Sequence, residues 1–215
     1  MEETRETRIY HVLTKSIAGF KVFLNEKDYQ RMLDLLKYYQ YNPKVKFSYY
    51  ITLLNQKSKL YYDQLKDKNP FVEIIAYCLM PTHIHLALYE VLEGGISEYM
   101  RRVLDGYTRY FNKKINRKGP LWEGKFKRIG VTSDEQLLHL TRYIHLNPTT
   151  AGLVEKPEEW IYSSYREYIG LEKEKICSKE NFFDFSEKEY KKFVEDRIDY
   201  QKSLARIKSI ILEPI

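Results

Sequence analysis

Phe71-Val-Glu-Ile-Ile-Ala-Tyr-Cys-Leu-Met80, followed at once by Pro81-Thr-His-Ile-His-Leu-Ala-Leu-Tyr89, is the stretch that decides the fold. The first run is mostly apolar and too short for a typical buried helix, and Pro81 interrupts it before a second run at 84–89. Two strands joined by a tight turn are expected. Side chains alternate faces along a strand, so His83 and His85 emerge on one side while Ile84, Leu86 and Leu88 point to the other. Imidazoles spaced this way can hold a divalent ion with an oxygen donor and leave positions open for a phosphate. The same tripeptide on a half-exposed strand also suits two histidines that only hydrogen-bond to their neighbours.

Upstream, Ile9-Tyr-His-Val-Leu13 is rich in β-formers, and a turn at Gly19 leads to Asn25 as the N-cap of a helix striped by Leu33, Leu36 and Tyr39/Tyr41 until Pro43. Residues 44–70 are ambiguous: 47–54 suits strand or helix, and the Lys-rich 57–68 reads as a solvated insertion without chemistry. Downstream, Gly94-Gly95 breaks the chain. Ile96, Met100, Val103/Leu104, Tyr107 and Tyr110/Phe111 then recur at helical spacing to about Ile115, with Arg101, Arg102, Arg109 and Lys113 on the other face. Residues 116–128 read as a basic loop holding Trp122 and Phe126. Ser133-Asp-Glu-Gln136 opens another helix, which Asn147-Pro148 should close. Beyond Gly170 the composition shifts, and Ser186-Glu-Lys-Glu opens a charged helix of roughly twenty residues, holding Leu204, Ile207 and Ile211 among others. The expectation is an α+β fold with a ferredoxin-like antiparallel sheet packed by helices: a domain at 1–170 with an insertion at about 44–70, and a helical C-terminal extension at 171–215.

Lys and Arg outnumber Asp and Glu by 36 to 30, a net charge of +6 that favours polyanionic partners. The 20 Tyr, 10 Phe and 2 Trp are interleaved with these cations, as gripping phosphates and stacking on unpaired bases requires, although more than half of them suit the core. Cys78 and Cys177 lie far apart in no C-x-x-C pair, which excludes a disulfide framework or thiolate zinc site and fits a reducing cytoplasm. The N-terminus is charged, and no run approaches the ~18 apolar residues of a membrane span, so a soluble, unexported protein without membrane partners is expected.

In the helix from Asp134, Leu137, Leu140 and Ile144 share one arc, while Gln136, Tyr143 and Asn147 line a neighbouring stripe. Tyr143 and Asn147 are one turn apart, pairing a nucleophile with an amide oxygen that can complete a metal site. A tyrosine edging the core is the structural alternative.

Tyr77-Cys-Leu-Met-Pro-Thr-His-Ile-His-Leu86, Gly106-Tyr-Thr-Arg-Tyr-Phe-Asn112, Gly119-Pro-Leu-Trp-Glu-Gly-Lys-Phe126, Arg142-Tyr-Ile-His-Leu-Asn-Pro148 and the 160–165 block stand in an order that resembles the single-tyrosine His-hydrophobic-His transposases, especially their REP-associated branch. The resemblance spans about residues 8–170. It implies a ferredoxin-like fold, Mg²⁺ or Mn²⁺ on His83 and His85 with Asn147 as third ligand, and Tyr143 cleaving single-stranded or hairpin DNA through a 5′-phosphotyrosine. The expected setting is cytoplasmic and nucleoid-associated, as monomer or homodimer, with no small-molecule cofactor. Thr82 stands where the family more often has Asn, which would alter how His83 is oriented without removing a ligand. Among the remaining histidines, His139 and His145 are the candidates for a spare base, with His145 better suited to packing.

The basic, aromatic block is the candidate DNA surface: Arg101, Arg102, Arg109, Lys113, Arg117, Lys118, Trp122, Lys125, Lys127 and Arg128, together with Arg142. Trp122 suits the core equally well. Two rival functions remain. One is a non-catalytic or domesticated DNA-binding regulator, which does not require the complete set His83, His85, Tyr143 and Asn147. The other is a water-using metal hydrolase, for which the Leu-Ala-Leu after His85 lacks the further acidic and His ligands.

Overall fold

The computed structural model describes residues 8–53, 55–66, 69–201 and 203. Strands β1 (Ile9–Lys15), β2 (Val72–Met80), β3 (His83–Glu90) and β4 (Lys127–Val131) form one sheet in the order β2-β3-β1-β4. Every neighbouring pair is antiparallel. Helix α1 (Glu26–Tyr39) joins β1 to the hairpin and α4 (Gly95–Lys114) joins the hairpin to β4, giving the β-α-β-β-α-β order of a ferredoxin-like sheet. Helix α5 (Asp134–Thr150) follows β4 and crosses the opposite face.

The β2–β3 hairpin is buried on both faces, and a bulge makes that workable. Ile74 pairs with Leu88 and Ala76 with Ala87, leaving Ile75 as the extra residue. Val72 and Ile74 before the bulge, and Tyr77 and Leu79 after it, therefore reach the same core as Ile84, Leu86 and Leu88, under α1 and α4. Ile75, Ala76, Cys78, Met80 and Ala87 form the second core, closed by Leu137 and Ile144 of α5. His83 and His85 share this second face.

Three sequence expectations are corrected, and the ambiguity at 44–70 is resolved. Residues 44–70 contain two short helices, α2 (Phe47–Tyr50) and α3 (Asn55–Lys66), tied to α1 by tyrosine hydroxyls that satisfy turn backbone: Tyr38 donates to the Val45 carbonyl, and the Phe47 amide donates to the Tyr39 hydroxyl. Lys127 and Arg128 lie in β4 rather than in a loop; they stand opposite Leu13 and Val12 of β1, and that pairing outweighs the weak local signal of a strand containing two cations and Gly130. Helix α5 continues through Pro148, whose missing amide removes one hydrogen bond while Ala151 and Leu153 amides still reach the Asn147 and Pro148 carbonyls. The tail helix is interrupted: α7 (Glu187–Glu195) ends in a turn at 196–197, residues 198–201 are helical again, and Leu204, Ile207 and Ile211 lie outside the described residues. A short α6 (Tyr165–Tyr168) precedes it. Among the described residues no helix is long and apolar enough to cross a membrane.

The helix pair on the first face is clamped by Asp28 of α1, whose side chain is wholly buried. It takes Lys114 Nζ at 2.6 and 2.7 Å, the Tyr110 hydroxyl at 2.8 Å and the Leu24 amide at 2.9 Å. Burial pushes the carboxyl pKa up, but these hydrogen bonds and the Lys114 charge outweigh it and hold the group below its ordinary value. A depressed folded pKa contributes stability above the unfolded Asp range that is lost as pH falls toward the folded value. Lys114→Met is therefore expected to cost about 1–3 kcal/mol at neutral pH. In urea unfolding, the gap to the parent should narrow below about pH 4.

Candidate active site

His83 opens β3 directly after the Pro81-Thr82 turn, and strand alternation puts it beside His85 with ring centroids 5.0 Å apart. Each ring has its Nδ1 engaged. The Thr82 hydroxyl lies 3.0 Å from His83 Nδ1, and His11 Nε2 lies 3.0 Å from His85 Nδ1. That leaves both Nε2 atoms for the cleft. Burial, with Lys15 nearby, lowers the His83 pKa to about 4. Burial, then the neighbouring His83, His11 and Lys15, lowers that of His85 to about 3. Both imidazoles are neutral at pH 7, the form that ligates a metal.

Tyr143 and Asn147 reach the same place from α5. The Tyr143 ring is 42% exposed and meets His85 edge-on at 5.5 Å and His11 at 6.0 Å between centroids. Asn147 Nδ2 donates to the Tyr143 carbonyl at 2.8 Å, so the amide is held by its own helix with Oδ1 left over as an acceptor. With Leu13, Lys15, Ser16, Gly19, Thr82 and Glu123, these side chains line a cleft of about 470 Å³. Among the described residues, no three His, Cys, Asp or Glu side chains are arranged to hold a metal ion. Two neutral imidazoles and one amide oxygen nevertheless fit a hard divalent ion that keeps positions for water or phosphate oxygens.

His11 was not singled out from the sequence. Its signal was the two-residue period of β1, in which Val12 and Thr14 are buried on the first face and His11, Leu13 and Lys15 belong to the cleft side. Neither His139 nor His145 lines the cleft. His139 lies on the outer side of α5, its Nδ1 2.6 Å from an Arg142 nitrogen, and His145 is buried against Ser164 and Tyr190.

The basic block divides by what its charges already touch. Arg101 and Arg102 both bond to Glu98, and Arg102 also reaches the Pro43 carbonyl. Arg117 staples its loop through Asn112, Gly119 and Pro120. Arg142 stacks on Phe193 at 4.1 Å and faces the tail. Trp122 is 7% exposed and donates to Thr108, so it belongs to the core. Arg128 lies over the Tyr10 ring. The side chains of Arg109, Lys113, Lys118, Lys125 and Lys127 are exposed and make no hydrogen bond or ion pair to a described residue. A second cleft of about 580 Å³ runs between Arg101, Leu104 and Asp105 of α4 and Trp122, Gly124, Lys125, Phe126 and Arg128. It and the histidine cleft lie on either side of the 121–124 segment, which Ile17 and Glu123 amides bond to the end of β1.

Several known proteins resemble this chain. Residues 54–147 match the family described as IS200-like transposases, an interval that contains His83, His85, Tyr143 and Asn147. A Haemophilus influenzae protein provisionally named a REP-associated tyrosine transposase is 29% identical over 133 residues, covering 57% of this chain and 75% of that protein. The REP-associated tyrosine transposase of Escherichia coli K12 is 24% identical over 127 residues, covering 54% and 73% respectively. A solved REP-associated tyrosine transposase bound to a REP hairpin shares the fold, with a TM-score of 0.51 and 18% identity over 86% of this chain and 96% of that one. Residues 54–147, the segment that carries the paired histidines and the exposed tyrosine, thus match the IS200-like transposase family, within a chain that resembles the REP-associated tyrosine transposases.

Proposed function

We propose that this chain nicks and rejoins single-stranded DNA at hairpin-bearing, REP-like elements, with Tyr143 as nucleophile and Mg²⁺ or Mn²⁺ on His83, His85 and Asn147. The reading rests on one observation above the others: an exposed phenol stands edge-on to His85 at 5.5 Å, in a cleft that His83 and Asn147 also line. The names of the relatives and the hairpin bound to the solved neighbour support this class of DNA as substrate.

A bound divalent ion would polarise the scissile phosphate and offset charge developing at phosphorus. The Tyr143 phenol passes its proton to water as its oxygen forms the new bond to phosphorus, and the bond to the 3′ oxygen on the opposite side breaks. The departing 3′ oxygen takes a proton from water, and the 5′ phosphate stays on Tyr143. Attack by another 3′-hydroxyl, which gives up its proton, reverses the exchange and restores the phenol. Because one phosphodiester is traded for a phosphotyrosine, no ATP is needed. Lys113, Lys118, Lys125, Lys127 and Arg109 are the cations best able to hold the strand, since among the described residues no side-chain partner competes for them.

Denaturing gels of a labelled, hairpin-bearing single strand incubated with Mn²⁺ test the chemistry. The parent should yield a slow-migrating covalent adduct that Tyr143→Phe and EDTA both abolish; cleavage by the parent without an adduct would replace this reading with hydrolysis by water. For the binding surface, Lys125→Ala with Lys127→Ala should leave thermal unfolding unchanged. If each lysine contacts a phosphate, the slope of log affinity against log salt should fall by about 0.7 per contact.

A further inference from the structure

His11 stands in β1 opposite Ala87, two pairs along from Leu13 and His85. Its ring reaches diagonally over that alanine, whose methyl leaves space above the sheet, and stacks on His85 with centroids 5.2 Å apart and planes 16° from parallel. His11 Nε2 and His85 Nδ1 are 3.0 Å apart, so a single proton lies between them. The His11 ring also meets Tyr143 edge-on at 6.0 Å. One side chain of β1 thus touches both the buried histidine of β3 and the phenol of α5.

We propose that His11 is a positioning residue: its Nε2 accepts the Nδ1 proton of His85, which fixes His85 in the tautomer whose bare Nε2 faces the cleft, while its ring backs the Tyr143 phenol. The inference rests on the metal-assisted reading above for its purpose, but not for its geometry. A neutral imidazole carries one proton, so His85 can offer Nε2 to a cation only if that proton sits on Nδ1. Unassisted imidazole in water favours the other tautomer, and a buried Nδ1–H without an acceptor is costly. His11 is the partner that removes both obstacles. It must then carry its own proton on Nδ1. Thr82 stands in the same relation to His83 through its hydroxyl, so the two imidazoles are set by different partners, one from the preceding turn and one from a separate strand.

Nitrogen-15 NMR of the histidine rings at pH 7 reads the tautomer without metal or DNA. The parent should show His85 protonated at Nδ1. His11→Phe, which keeps a ring against Tyr143 but removes the acceptor, should return His85 to Nε2 protonation. His11→Gln, whose amide oxygen can accept the proton, should keep the parent state. Mn²⁺ binding by the DNA-free protein, followed by the EPR signal of free Mn²⁺, should weaken about 10- to 100-fold in His11→Phe and recover in His11→Gln. The unfolding temperature of the metal-free variants should stay near that of the parent. Nε2-protonated His85 in the parent, or parent-like Mn²⁺ affinity in His11→Phe, overturns the inference, as does a parent that takes up no Mn²⁺. A parent that passes these tests but forms no covalent DNA adduct overturns the cleavage reading alone.

Discussion

His145 is wholly buried two residues beyond Tyr143, and both of its ring nitrogens are satisfied at 2.7 Å, Nδ1 by the Tyr190 hydroxyl and Nε2 by the Ser164 hydroxyl. Burial, with Lys179 nearby, lowers its pKa to about 3, so the ring is a neutral strut. Ser164 also accepts from the Tyr77 amide on β2, and Tyr190 donates to Thr141 one turn earlier in α5. The network therefore fixes α5 both to the sheet and to α7. Two residues turn a helix by about 200°, so a contact that pins His145 inward holds Tyr143 on the opposite side. A small roll of α5 would leave one of these nitrogens unpaired in the core, at a cost of about 1–3 kcal/mol. The phenol's station beside His85 depends on that penalty.

The sheet supplies the other half of the alignment. The outer edge of β2 is closed by the Leu79 amide bonding to Tyr162, by the Cys78–Ser163 bridge and by the Ser178 amide bonding to Ile74. At the other end, β4 pairs with β1 and carries Lys127 and Arg128, charges that discourage further strand pairing. The β1–β3 register, Leu13 opposite His85 and Lys15 opposite His83, holds the cleft's floor as rigidly as the ladder holds the strands. The phenol comes from a helix and the imidazoles from a strand, and both supports are buried.

Local pattern made the hairpin, the shared face of His83 and His85, and the one-turn step from Tyr143 to Asn147 legible in the sequence, because each depends on a short-range period. What escaped depends on long-range pairing. β4 has no alternation of its own and is a strand because β1 offers it partners. His11 reads as an ordinary β residue until the register sets it beside His85. Pro148 is a local stop signal overruled by the burial of the turn that contains it. Tyr38 and Tyr39 of α1 and Tyr61 of the insertion read as generic aromatics, yet Tyr38 donates to, and Tyr39 and Tyr61 accept from, the backbone of the turn at 44–47.

The same distinction bears on electrostatics. A charge count treats every cation alike, but the Arg101 and Arg102 guanidinium groups share Glu98, Lys114 is bound to a buried carboxylate, and Arg117 holds loop carbonyls. A phosphate reaching these groups would first have to displace a partner, which cancels much of the gain from a new ion pair. The exposed lysines at 113, 118, 125 and 127 meet no such competition. Lys125 lines the second cleft, and Glu123 on the 121–124 segment lines the histidine cleft. The histidine cleft itself carries Lys15 and Glu123 beside two neutral imidazoles, so its charge is mixed where that of the second cleft, with Arg101, Lys125 and Arg128, is mainly positive.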